Sequence, residues 1–165
     1  MNELETAYIL LDYLNDQILP VLEKAIELIP NEKLDYKPNK KLNTIKWLSY
    51  HALNGPHVYL KGVENTVLTQ DIYDTFKLDL KDIRDSKQLL DYAKGLKGYI
   101  RDFRNKITEN DLSKTVTFEI WPPVWSQTGF EAIRTSVEEM IHHRGQLCTY
   151  LRLLEIDPPL LYDYL

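Results

Sequence analysis

At 165 residues, with one cysteine and a net charge of -5, the chain is the size of one domain. It can bury a core without covalent staples, and it excludes both an internal disulfide and a cysteine-based zinc knuckle. The acidic balance, with a sequence pI near 5.4, argues against a polyanion-binding surface and so against nucleic acid as a partner.

Residues 3–29 place Leu4, Ala7, Leu11, Leu14, Ile18, Leu22, Ala25 and Ile29 at intervals of three and four, which predicts a first amphipathic helix bent at Pro20. Within it Glu3, Glu5 and Asp12 stand where a signal peptide would be basic. No apolar run in the chain approaches the roughly 20 residues that cross a bilayer, so a soluble, cytoplasmic protein with no membrane partner is expected. The run Ile29-Pro30-Asn31-Glu32-Lys33-Leu34-Asp35-Tyr36-Lys37-Pro38 breaks the pattern and reads as an ordered linker. It leads into Lys37, Lys40 and Lys41, the only dense basic patch, which reads as a solvated loop. A second helix is predicted from about Thr44 towards Gly62, capped by Asn43 or Thr44, with Trp47, His51 and Val58 on one face. Asn54-Gly55-Pro56 interrupts it. Pro56 has no amide to donate and crowds the carbonyl four residues back, so a kink is expected one turn beyond His51.

Residues 63–84 lack a clear period and read as a connection with a short helical turn. Leu89, Ala93, Leu96, Ile100, Phe103 and Ile107 define a third helix from Ser86, capped by Asp85 or Ser86. Val116, Phe118 and Ile120 alternate with polar residues and predict a short strand or extended arm at 115–120, which needs a partner segment or a second copy to pair with. Thr128 followed by Glu131 is a capping box. It opens a fourth helix that runs to about Leu154 and is stopped by Asp157-Pro158-Pro159. Cys148, mid-helix in apolar surroundings, reads as a buried, unreactive thiol. Residues 1–165 thus form a single domain, all-α: an up-down four-helix bundle with a short extended segment before the last long helix.

On the fourth helix, with Met140 as origin and about 100° per residue, Ile133, Val137, Leu147, Leu151 and Leu154 fall within about 60° and make the core stripe. His143 lies about 60° to one side and Glu139 about 100° to that same side, while His142 points about 160° away, towards water. Arg144, on the opposite flank, is not the natural partner of Glu139. A carboxylate and an imidazole one turn apart at the margin of a core can share a metal, and two ligands are too few, so a third must come from a facing helix. His51 supplies it. Two imidazoles and a carboxylate suit a divalent transition metal with a position left for water, a carbonyl or a thiolate. The alternative is a set of ordinary core side chains satisfied by hydrogen bonds. Trp47 shares the His51 face, while Asn54, Gln146 and Tyr150 continue the two flanks. These four either line a pocket or simply pack. His57 and His142 fall off the site face and read as surface residues. Trp121 and Trp125, around Pro122-Pro123, are candidates for a lid, a dimer contact or a plug at one end of the bundle.

Three segments, in this order, carry a resemblance that spans the chain: the linker Ile29 to Pro38, Trp47-Leu48-Ser49-Tyr50-His51, and His142-His143-Arg144-Gly145-Gln146-Leu147 running on to Tyr150-Leu151-Arg152. The sequence resembles the DinB/YfiT-like superfamily of four-helix proteins. That resemblance implies three ligands for nickel, zinc or a similar ion, one histidine from the second helix and a His-x-x-x-His pair from the fourth, at positions that here are His51, Glu139 and His143. Glu139 departs from the pattern, standing where the family usually has a histidine. The resemblance further implies a homodimer and a metal-dependent enzyme, either a thiol-dependent S-transferase or a small-molecule hydrolase, acting on a small-molecule substrate with a low-molecular-weight thiol as candidate cosubstrate. The other reading is a metal-free binding or stress-associated interaction protein that keeps the bundle and has lost the site at Glu139.

Overall fold

The computed structural model describes residues 2–160. The first rod is α1 (Glu3–Tyr13), a π-helical turn (Leu14–Ile18) and α2 (Leu19–Glu27) in succession. Asn2 and Glu5 close a capping box at its start, with Asn2 Oδ1 accepting from the Glu5 amide at 2.8 Å. Pro20 has no amide to give. The widened turn immediately ahead of it moves the hydrogen-bond ladder out of register, so the rod continues through the proline and the expected disturbance there takes this form.

After a 3-10 turn at Asn31–Lys33, the linker is pinned to the start of α3 (Ile45–Asn65) by the amides of Ile45 and Lys46, which donate to Tyr36 and Leu34 at 2.8 Å. Of the two candidate caps, Thr44 is the one used, its hydroxyl accepting from the Trp47 amide at 3.1 Å. Asn54-Gly55-Pro56 does not break α3, which runs on to Asn65. The 63–84 connection holds more structure than its sequence announces: β1 (Val67–Leu68), α4 (Gln70–Asp74) and a 3-10 turn at Leu80–Asp82. The chain then forms α5 (Ser86–Lys106), capped by Asp85 with Gln88, and the short α6 (Glu109–Ser113). Next come β2 (Thr115–Phe118) and β3 (Trp125–Thr128), and last α7 (Gly129–Leu153), opened by the Thr128–Glu131 capping box.

The strand at 115–118 has two partners. It pairs in parallel with β1, Val67 opposite Thr117, and antiparallel with β3, Thr115 opposite Thr128, so the order is β1-β2-β3. Val116 and Phe118 are fully buried on its inner side, and Thr117 pairs outward with Ser126.

The four rods form an all-α bundle, and their directions follow from cross-contacts. Asp12 meets Arg104 and Asn31 meets Ser86, so the first rod and α5 are antiparallel. His57 meets Tyr92 and Glu64 meets Tyr99, so α3 and α5 run parallel. Tyr150 meets Asn43 while Glu139 meets His51, so α3 and α7 are antiparallel. The order is up, down, down, up, so the four-helix bundle is as expected but its helices do not alternate in the expected up-down order, because the crossover of residues 66–85 carries the chain back along the bundle between α3 and α5. The core along these seams includes Leu11, Ile18 and Leu22 from the first rod, Leu53 and Leu60 from α3, Leu89 and Ile100 from α5, and Ile133, Met140, Leu147 and Leu151 from α7. No described helix is long and apolar enough to cross a membrane.

The sheet packs closely on the bundle at Gly62, where an added Cβ would lie 2.5 Å from Phe118 Cε1 and 3.0 Å from Val116 Cγ1. Because Phe118 is itself fully buried, it has no free space to retreat into. Gly62→Ala is therefore expected to destabilise the protein by roughly 1–3 kcal/mol, read as a lower urea midpoint with an unchanged slope.

Candidate metal centre

Halfway along the α3–α7 seam, His51, Glu139 and His143 present one ligand-type atom each, all within 4.8 Å of one another. His143 Nε2 lies 3.1 Å from Glu139 Oε2, and His51 Nε2 lies 3.8 Å from the same oxygen. Tetrahedral coordination at about 2.0–2.2 Å sets ligand atoms roughly 3.3–3.6 Å apart, a range that these two separations bracket. The helical-wheel placement explains the convergence: His143 is buried at the core margin, Glu139 is half-buried one turn back, and His142 is exposed.

Both imidazoles are held from behind. The His51 ring stacks on Trp47, centroids 4.4 Å apart and planes 14° from parallel, and meets His143 edge-on at 4.5 Å. His143 Nδ1 contacts Gln146 Oε1 at 2.8 Å, and Gln146 Nε2 contacts His142 Nε2 at 2.9 Å. With the Gln146 NH2 placed to donate to His142, its oxygen accepts from His143, whose Nδ1 then carries the proton. Nε2 of His143 is thereby left as the atom that faces Glu139. Gln146 thus acts as an orienting residue, a role signalled in the sequence only by its spacing of three from His143.

The electrostatics follow. Burial, and then the charge of His143, hold His51 below the usual imidazole range, so it is neutral and its lone pair is available. The hydrogen bond from His143, outweighing burial, keeps the Glu139 carboxyl below its usual range. Burial lowers His143, but its bonds to Glu139 and Gln146 more than offset that and raise it. A neutral His143 with its proton on Nδ1 would set a lone pair against a carboxylate oxygen at 3.1 Å, so the gap calls for a positive charge, either a proton or a metal ion. The donor set fits a divalent transition ion.

The other expected pocket residues divide. Trp47 and Asn54 line a cleft beside His51, together with Tyr50, Tyr73, Leu78, Leu80 and Trp121. Gln146 and Tyr150 line a different groove on the other side of Trp47, where the Tyr150 hydroxyl donates to the Asn43 carbonyl at 3.0 Å. Trp121 belongs to the cleft wall, stacked on Trp125, which in turn stacks on Phe118 at 4.9 Å. His57 is not a surface residue. It packs against Phe76 and Tyr99 and contacts the Tyr92 hydroxyl at 2.8 Å, because its face of α3 turns towards α4 and α5; burial pushes its pKa down to about 4. Cys148 is half-buried, and burial raises its thiol.

The bundle thus brings one histidine of its second long helix against a carboxylate–histidine pair of its last, a candidate three-donor set between facing helices. The chain belongs to the DinB family, whose model matches residues 8–165. Solved structures agree on the fold. A DinB-like protein from Bacillus subtilis superposes with a TM-score of 0.70 at 18% identity, covering 92% of this chain and 96% of its own. A DinB-like protein from Bacillus cereus gives 0.66 at 18% identity, covering 87% and 89%. YfiT from Bacillus subtilis, described as a probable metal-dependent hydrolase with an unusual four-helix bundle topology, gives 0.67 at 14% identity, covering 93% and 89%. No curated protein matches the chain.

The raised pKa of His143 sets the sign of a pH effect. Below that pKa the ring holds a proton on Nε2 that an incoming ion must displace, whereas Glu139 is already ionised and His51 already neutral. Zinc affinity measured by calorimetry across a pH series is expected to rise about tenfold per pH unit below the His143 pKa, with one proton released, and to level off above it.

Proposed function

We propose that this protein is a metal-dependent enzyme acting on a small molecule bound in the cleft beside His51, with His51, Glu139 and His143 as ligands of a nickel or zinc ion. The observation that carries the reading is the 3.1 Å approach of His143 Nε2 to Glu139 Oε2, with Nδ1 of the same ring already committed to Gln146. The family assignment supports it, as does the description of the structural neighbour YfiT as a probable metal-dependent hydrolase.

A divalent ion held there would polarise a carbonyl group and acidify a water or a thiol. The chain's own residues do the rest. Trp47 fixes the plane of the His51 ring by stacking, and Gln146 fixes the tautomer of His143. Glu139, in place of a neutral ligand, lowers the net charge of the centre by one unit, which favours retention of a dication and weakens its Lewis acidity relative to a three-histidine site. Trp47, Trp121, Leu78 and Leu80 keep an apolar cleft against the centre, where polar interactions are less screened by water. Hydrolysis and transfer to a low-molecular-weight thiol differ only in which nucleophile enters this cleft.

One observation favours a second reading. A protonated His143 already neutralises Glu139, so the site can close on its own proton, as a metal-free binding protein would require.

Metal analysis of untagged protein purified without chelator separates the two. The enzyme reading expects about one equivalent of nickel or zinc per chain, lost in His51→Ala and retained in Glu139→His, which restores a three-imidazole set. Absence of metal from the wild type under nickel and zinc supplementation would defeat it.

A further inference from the structure

Glu139 commits only one of its two oxygens to the imidazoles. His143 Nε2 and His51 Nε2 both approach Oε2, at 3.1 and 3.8 Å, and Oε1 has no partner among the described residues. An ionised carboxylate accepts at both oxygens, and Glu139 is half-buried, so the second oxygen calls for a donor of its own.

The stripe of α3 that carries His51 also carries a hydroxyl. His51, Gly55 and Tyr59 are spaced by four, and Gly55 faces Glu139, a Cβ built on it lying 3.7 Å from the Glu139 Cβ. Side chains lean towards the N-terminus of their helix, so Tyr59 covers the turn that contains Gly55, where α3 itself puts no side chain in the way. Because α7 is antiparallel, Glu139 leans in the opposite sense, towards the level of Tyr59. The two side chains therefore lean towards each other. The Tyr59 ring packs edge-on against the fully buried Phe118, centroids 5.4 Å apart, and its hydroxyl has no hydrogen-bond partner among the described residues. Burial, and after it the charge of Glu139, push the phenol up to about 12, so it keeps its proton at neutral pH and remains a donor.

We propose that Tyr59 is a positioning residue of the candidate metal centre: its hydroxyl donates to Oε1 of Glu139, so that the carboxylate meets an ion through Oε2 alone and a coordination position stays open for the substrate. The inference rests on the reading of His51, Glu139 and His143 as metal ligands, and adds which oxygen of Glu139 ligates. Without the donor, Oε1 is free to turn onto the ion as a second ligand atom and fill the position that the substrate needs. Tyr59 acts through Glu139 and touches neither ion nor substrate.

Cobalt(II) is the probe, since its visible absorption weakens when a four-coordinate site gains a further ligand atom, and azide reports on the open position. The wild type and Tyr59→Phe are each expected to take up about one equivalent of cobalt. In Tyr59→Phe, which removes only the hydroxyl, the visible bands are expected to weaken and azide to bind about tenfold less tightly. Glu139→His has no second oxygen to restrain, so adding Tyr59→Phe to it should change neither readout. Tyr59→Leu, which also removes the ring from Phe118, should match Tyr59→Phe in both readouts and lower the urea midpoint besides. An unchanged spectrum and azide affinity in Tyr59→Phe would overturn this inference and leave the metal-dependent reading standing. Equal changes in the wild-type and Glu139→His backgrounds would overturn it too, because the hydroxyl would then act through the fold and not through Glu139. Failure of the wild type to take up cobalt would overturn both readings together. Should Glu139→His not hold cobalt, the comparison of Tyr59→Phe with the wild type decides.

Discussion

Along the seam where α3 lies antiparallel on α7, Gly55 faces Glu139, and a Cβ built there would make an ordinary van der Waals contact with the Glu139 Cβ at 3.7 Å. The packing of these two helices lets an imidazole from one and a carboxylate and imidazole from the other share a few ångströms of space. The core residues of the seam, Leu53, Met140 and Leu147 among them, are fully buried and hold the two rods in register. The register is not free to drift, because Tyr150 ties the far end of α7 to the carbonyl of Asn43 just ahead of α3. The candidate centre is thus a by-product of packing that is fixed at several points, and its donor atoms need little reorganisation.

A carboxylate among the three donor groups decides how the cluster is satisfied when no ion is present. Glu139 binds a proton through His143 when nothing else is present, so the same three residues make a satisfied core cluster and a metal-type donor set. The two states differ by one proton and are poised against each other by pH. A three-imidazole site has no such internal counterion and must rely on water or on metal to quiet its lone pairs.

Much of this architecture was legible in the sequence because helices report their buried faces at a fixed period. The four long helices, the Thr128–Glu131 box and the convergence of His51 with Glu139 and His143 all follow from spacing on a 3.6-residue turn. What escaped depends on partners distant in sequence. β1 is two residues long and carries no alternating pattern, and it is a strand only because Thr117 and Phe118 lie alongside. His57 was read as a surface residue because it falls off the site face of α3, but that side of the helix is covered by Phe76, Tyr92 and Tyr99 from later segments. The Tyr50–Asn54 pair could be read from its spacing of four, whereas Tyr73 and Tyr92 join it only through tertiary folding. Helix direction was equally silent, since amphipathic periodicity is the same read up or down.

That direction has a consequence for how such a protein can change. Because α3 and α5 run the same way, the chain must travel back along the bundle between them, and residues 66–85 make that return journey, anchored to the core by Leu68 and Ile83. The returning segment is also what walls the cleft, through Tyr73, Lys77, Leu78 and Leu80. Part of the cleft wall is therefore carried by a crossover rather than by the long helices. Replacing or lengthening that crossover between its buried anchors would reshape the cleft while leaving His51, Glu139 and His143 in place on α3 and α7, a form of modularity that a strictly alternating bundle with tight hairpin connections would lack.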